Sequence, residues 1–167
     1  ARNGVLPALI ALLQRNDSER EIHASATVAN MAEMVEGRTH RRMLDEGILR
    51  PLLNLSENPQ PEVRREVARA VALFASKRDS QGRLLRSGAV SSCVAFLRGK
   101  AGEDVATSRY GALAIGNLAV IPTNHQELFD SGGIAALMPL ASSEDLETRR
   151  CTAFALNNIA SREENHL

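Results

Sequence analysis

Residues 112–119 read ALAIGNLA, a run of small and apolar side chains interrupted by a single amide, Asn117. Related stretches stand at 26–32 (ATVANMA), 70–76 (AVALFAS) and 153–160 (AFALNNIA). Aligned, they put Asn30, Leu73, Asn117 and Asn158 in one column, at steps of 43, 44 and 41 residues. A second marker keeps the same step. NGVLPALIALL, EGILRPLLNL, SGAVSSCVAFL and SGGIAALMPLA each start an apolar run after a glycine. Those glycines, Gly4, Gly47, Gly88 and Gly132, are 43, 41 and 44 residues apart. Two independent markers with one period make the chain a tandem array, with units at about 4–46, 47–87, 88–131 and 132–167.

Each unit divides into three helical pieces. Short mixed-charge segments (39–46, 80–87, 123–131) end at the glycine, where a left-handed cap closes the helix. A short apolar helix follows, as at 5–13 and 48–55. Polar connectors (QRNDSE, SENPQPE, RGKAGED, SSEDLE) then lead into the longest helices, expected at 18–34, 62–76, 103–120 and 145–161. Pro61 suits a first helical position, whereas Pro139 should loosen the helix it falls in. Gly116, inside a long helix, is read as a site of close packing.

A period of 40–47 residues fits armadillo or HEAT units and excludes the 33- and 34-residue repeats. The glycine–apolar opening, the signature A-x-A-[LIV]-x-N-[LIM]-A and the segment NHQELFDSGGI (124–134) resemble the armadillo repeat over essentially the whole chain. HEAT units lack the glycine-separated short first helix. The expected fold is all-α, a right-handed armadillo α-solenoid with three helices per repeat. The resemblance implies that the third helices stack side by side and line a concave groove for an extended protein segment.

Counting back four, seven and eleven residues from the signature column gives one helical face per unit. The rungs are Glu19, His23, Ala26 and Asn30; Glu62, Glu66, Arg69 and Leu73; Ala106, Tyr110, Leu113 and Asn117; and Glu147, Cys151, Phe154 and Asn158. Arg65, Arg109 and Arg150 flank the same face. An extended peptide carries one backbone donor and one acceptor per residue, and an asparagine amide offers both partners. In the armadillo family the matching asparagine holds the bound main chain, a role that carries to Asn30, Asn117 and Asn158 but not to Leu73. A local structural hydrogen bond is the competing use of such an amide.

Importin-alpha-like members place Trp four residues before the Asn. Here those positions hold Ala26, Arg69, Leu113 and Phe154, which argues against import-signal recognition through an indole array. Arg69 is expected to repel a basic peptide at mid-groove. Glu19, Glu62, Glu66 and Glu147 attract basic residues along one edge, and the flanking arginines favour acidic ones, as in the basic grooves of beta-catenin-type members. The partner's charge stays open.

The rest of the chain points away from chemistry. Twenty basic and twenty acidic residues cancel, so no overall field draws the chain to nucleic acid or an anionic membrane. Cys93 and Cys151 are read as reduced, packed thiols, and the four histidines show no metal-ligand spacing. His23 is read as a solvated rung residue, and the cluster His40, Arg41 and Arg42 as a solvated outer face. No phosphate loop or nucleophile motif occurs, and no cofactor or enzymatic activity is expected. No apolar run approaches the ~20 residues that span a bilayer. ARNGVLP is no signal peptide, which makes a cytoplasmic or nuclear setting the default. Neither end carries a polar capping face, which suggests flanking units and self-association through uncapped ends. The alternatives to groove binding are a structural or oligomerisation role and a substrate-recruiting module of a larger protein.

Overall fold

The computed structural model describes residues 4–34, 37–98 and 104–161, and all the regular elements among them are helical. The helices are α1 (Val5–Leu13), α2 (Ser18–Met34), α3 (Arg38–Asp45), α4 (Leu49–Leu53), α5 (Pro61–Ala75), α6 (Arg78–Arg86), α7 (Ala89–Leu97), α8 (Val105–Ala119), α9 (His125–Asp130), α10 (Gly133–Leu137) and α11 (Leu146–Ala160). Short 3-10 segments, Pro122–Asn124 and Met138–Ser142, precede α9 and follow α10. The expected limits hold to within about two residues for the long helices. Glu103, the expected start of the third, lies outside the described residues, as do most of the RGKAGED connector and His166.

Local chemistry sets these limits. Pro61 opens α5, where its missing N–H would have no helical partner. Asp104 caps α8 by accepting from the Ala106 amide, and Asp145 caps α11 by accepting from the Thr148 amide. Pro139 has the expected effect, since α10 ends at Leu137 and the chain tightens into the 3-10 turn. Gly47, Gly88 and Gly132 adopt φ of 80°, 83° and 74°, and with no Cβ they turn the chain between the first and second helices of a unit. Gly4 differs from these three. It is extended (φ −90°), acting only as the N-cap of α1.

The long helices α2, α5, α8 and α11 pack in order, each against the next, and α7 packs against α8. Between them lies one continuous core that includes Val28, Val67, Val71, Phe74, Ile115 and Leu118. Two glycines admit the closest approaches. A Cβ on Gly111 would stand 2.9 Å from Phe96 Cβ and 2.8 Å from Leu97 Cδ2. One on Gly116 would stand 2.5 Å from the Phe154 ring, so close packing accounts for that glycine.

Polar side chains bind the layers at recurring positions. Seven residues before the three left-handed glycines stand His40, Gln81 and His125, all buried. Gln81 Nε2 donates to the carbonyls of Ala75 (2.8 Å) and Asn117 (2.9 Å), and His125 Nε2 to that of Ala119 (2.7 Å). The equivalent carbonyl for His40, Ala32, accepts from Lys77 Nζ instead (3.0 Å). His40 Nε2 hydrogen-bonds with Ser80 Oγ at 2.5 Å, and its ring packs on Phe74 with centroids 5.2 Å apart. His40 is therefore not on a solvated outer face; it docks the first-type helix α3 while Arg41 and Arg42 stay exposed.

Burial, with the nearby Lys77 charge, holds the His40 pKa below the ordinary imidazole value, and Asp79 opposes the shift only in part. The unfolded chain then binds a proton that the folded chain refuses. Stability contributed by neutral His40 is complete above about pH 6.5 and declines as the pH falls from there through the lower folded value. Urea midpoints at pH 7.5 and 5.5 are expected to fall for the native chain and to fall less for His40→Gln, which installs the side chain found at position 81. Equal losses in both proteins would place the acid sensitivity elsewhere.

Candidate functional site

The signature asparagines sit where neighbouring long helices meet. Asn117 on α8 donates from Nδ2 to the Ala72 carbonyl of α5 at 3.1 Å. Asn158 on α11 donates to the Gly116 carbonyl of α8 at 3.0 Å. In both cases the acceptor is one residue before the signature position of the preceding unit. The structural use of the amide is thus real: it ties helix to helix. Each bond uses one of two N–H groups, and both side chains stay half-buried, with a surface open to solvent.

Leu73 cannot make this bond, and a different device joins α2 to α5. Arg69 Nη2 donates to Asn30 Oδ1 at 2.7 Å and Nη1 to Glu33 Oε2 at 3.0 Å, both across the helix pair. Its Nε and Nη2 also reach Glu66 Oε2, at 3.0 and 2.8 Å. The Arg69 side chain is only 19% exposed, and its guanidinium lies between two carboxylates. The expected repulsion of a basic ligand by Arg69 is corrected accordingly: Arg69, Glu33 and Glu66 together carry a net charge of −1.

The flanking arginines form a second inter-repeat device. Arg65 of α5 pairs with Asp104 (Nε–Oδ2 3.2 Å), the N-cap of α8, and Arg109 of α8 pairs with Asp145 (Nη2–Oδ1 3.0 Å), the N-cap of α11. The matching position on α2 is Ile22, and the cap it faces in the column is Gln60 rather than an acid. Arg150 pairs with Glu147 on its own helix. Burial pushes the Asp104 carboxyl up, but the Thr107 hydroxyl and Arg65 outweigh it. Asp145 is held down by the Thr148 hydroxyl and amide, then by Arg109, so both carboxyls lie below the usual carboxylate range. These partly exposed pairs fix register more than they add stability. They also engage the charges expected to favour acidic residues along this edge.

None of the sixteen rung residues is buried, while core residues such as Val28, Val71, Ile115 and Ile159 fill the opposite faces. The rungs therefore share one solvent-facing ladder. His23 is exposed on it, as expected, and Phe154 keeps 39% of its surface. Between α5 and α8 the ladder opens into a pocket of about 190 Å³, bordered by Glu33, Arg69, Ala72, Leu73, Ser76, Tyr110, Leu113 and Asn117. Sequence reasoning missed Glu33. It stands three residues past Asn30, and its part emerges only through Arg69 of the next helix.

The thiols offer no reactive centre. Burial pushes the Cys93 pKa up to about 12, and burial with the Glu147 charge raises that of Cys151. Among the described residues no group of three His, Cys, Asp or Glu side chains is placed to hold a metal. No described helix is long and apolar enough to cross a membrane.

No protein-family model matches the chain. It is 26% identical over 144 residues to human Armadillo repeat-containing protein 3, a match covering 86% of this chain and 16% of that protein. Among solved structures, it resembles computationally designed armadillo repeat proteins for modular peptide recognition, with a TM-score of 0.88 and 25% identity over 96% of this chain and 67% of the other. The chain has the fold of an armadillo-repeat α-solenoid. A designed armadillo repeat protein in complex with the peptide (KR)4 matches with a TM-score of 0.87 at 24% identity, over 97% of this chain and 67% of that one. In armadillo terms, α3, α6 and α9 are first helices, α1, α4, α7 and α10 second helices, and α2, α5, α8 and α11 the third helices that carry the ladder.

Proposed function

We propose that this armadillo solenoid binds an extended segment of a partner protein along the ladder of third helices, and catalyses no reaction. The observation that carries this is the register of the ladder. Four rungs of unburied side chains lie on consecutive, mutually packed helices, and amides recur at the same point of three of them. Such a surface meets a peptide main chain at regular intervals, and preorganised helices keep the ordering cost on this side low. The designed relatives built for modular peptide recognition share the fold over nearly the whole chain. Asn30, Asn117 and Asn158 would contact the main chain. His23, Glu66, Arg69, Leu73, Tyr110, Leu113 and Phe154 would meet side chains, and Arg65, Arg109 and Arg150 would border the groove.

The test starts with peptide display against the folded chain, followed by Asn117→Ala combined with Asn158→Ala. These amides also tie helices together, so the pair is expected to lower stability by about 1–3 kcal/mol, from two hydrogen bonds of ~0.5–1.5 kcal/mol each. Affinity for the selected peptides, measured well below the melting range of both proteins, is expected to fall at least tenfold. Undiminished affinity in the folded double variant would remove the amides from the binding surface.

A further inference from the structure

The groove reading leaves the ligand's side chains unspecified; the pocket between α5 and α8 supplies that chemistry. Its walls are Leu73, Tyr110 and Leu113, apolar side chains packed on the core yet only half-buried. Leu73 and Leu113 occupy rung positions on adjacent helices, so the apolar wall spans two repeats. Among the described residues that border it the one cation is Arg69, which is held by Asn30, Glu33 and Glu66 and cannot swing inward without breaking those bonds. An acidic ligand would compete with two carboxylates for it.

The charge around the rim is negative. Glu33 is 60% exposed and Glu66 half-buried, and together they exceed the charge of Arg69 by one. Glu62, one turn before Glu66, and Glu19 on the first rung are exposed and make no ion pair among the described residues. The flanking arginines Arg65 and Arg109 are matched by Asp104 and Asp145. Negative charge thus concentrates on the α2–α5 side, and apolar surface on the α5–α8 side.

We propose that the pocket receives an aliphatic side chain of the bound peptide, and that a Lys or Arg on the same face of that peptide lies over α2 and α5 against Glu33, Glu62 and Glu66. This rests on the groove-binding reading and adds the ligand's chemistry: an extended segment pairing aliphatic with basic residues. In an extended strand alternate side chains share a face, so the two anchors are separated by an intervening residue.

The test uses four labelled twelve-residue peptides with Ser at every even position. The odd positions alternate Leu and Lys, Leu and Glu, Ser and Lys, or Ser and Glu. Anisotropy titrations of the 167-residue chain are expected to show the Leu/Lys peptide binding at least tenfold more tightly than the Ser/Lys peptide, as burial of one aliphatic side chain predicts, and more tightly than either Glu peptide, as the negative rim predicts. Leu113→Lys, checked for helicity, is expected to abolish the Leu preference, and Glu33→Gln with Glu62→Gln to abolish the Lys preference. Should Leu113→Lys fail to fold, the comparison on the native chain stands alone. A tighter Leu/Glu peptide, or equal binding of Leu/Lys and Ser/Lys, overturns the proposal. NMR shift changes mapped by these peptides separate its failure from that of the groove reading. Changes on α5 and α8 without Leu dependence would leave the groove and remove the pocket. No change on those helices with any peptide would remove both.

Discussion

Gly111→Val is expected to destabilise the chain by about 3 kcal/mol, the upper part of the range for overpacking a close-packed site. The added Cβ would meet Phe96 Cβ at 2.9 Å and Leu97 Cδ2 at 2.8 Å, with the Cys93 carbonyl 3.4 Å away. Phe96 Cβ is fixed to its own backbone, so α7 and α8 must separate. Gly111→Ala should cost less, because alanine's helix propensity returns about 1 kcal/mol. Gly82 supplies the control. It lies in α6, exposed, with only the end of the Arg86 side chain within reach of an added Cβ. Gly82→Ala is therefore expected to stabilise by up to about 1 kcal/mol. Urea unfolding followed by circular dichroism reads all three. A neutral Gly111→Val would show that the interface between α7 and α8 is looser than described.

Phe74→Ala should cost about 3–5 kcal/mol, the usual loss for a fully buried phenylalanine. Its side chain has no exposed surface, and its ring faces that of buried His40. The cavity would open between α5 and the docked α3, inside the array rather than at its rim. Solenoid units are stabilised chiefly by nearest neighbours, so the loss should broaden the unfolding transition as well as shift it. A loss below about 1 kcal/mol, against the range for buried phenylalanine, would mean that the surrounding helices collapse into the space.

Much of the architecture was legible in the residues. The period, the three helices per unit and the ends of α1 and α2 follow from local signals: a repeating glycine, an apolar stripe, and Asp or Pro at a helix start. The ladder face was legible for the same reason, since positions four, seven and eleven apart share a side of any helix. His40 was misjudged because two adjacent arginines mark an exposed turn, and one helical step takes a residue from outside to inside.

The sequence by itself determined which residues are helical, which face of each long helix stays open, and where asparagines recur on it. The tertiary structure alone decided what those groups touch. Asn117 meets a carbonyl 45 residues away and Asn158 one 42 away, while Arg65 and Arg109 find their aspartates at separations of 39 and 36. Arg69 turned from a repelling cation into the centre of an acidic cluster in the same way, through Glu33 at a separation of 36. Helical periodicity acts over four residues and is written into any short window. Pairing across the stack depends on the offset and spacing of packed helices, which the core sets and no single repeat contains.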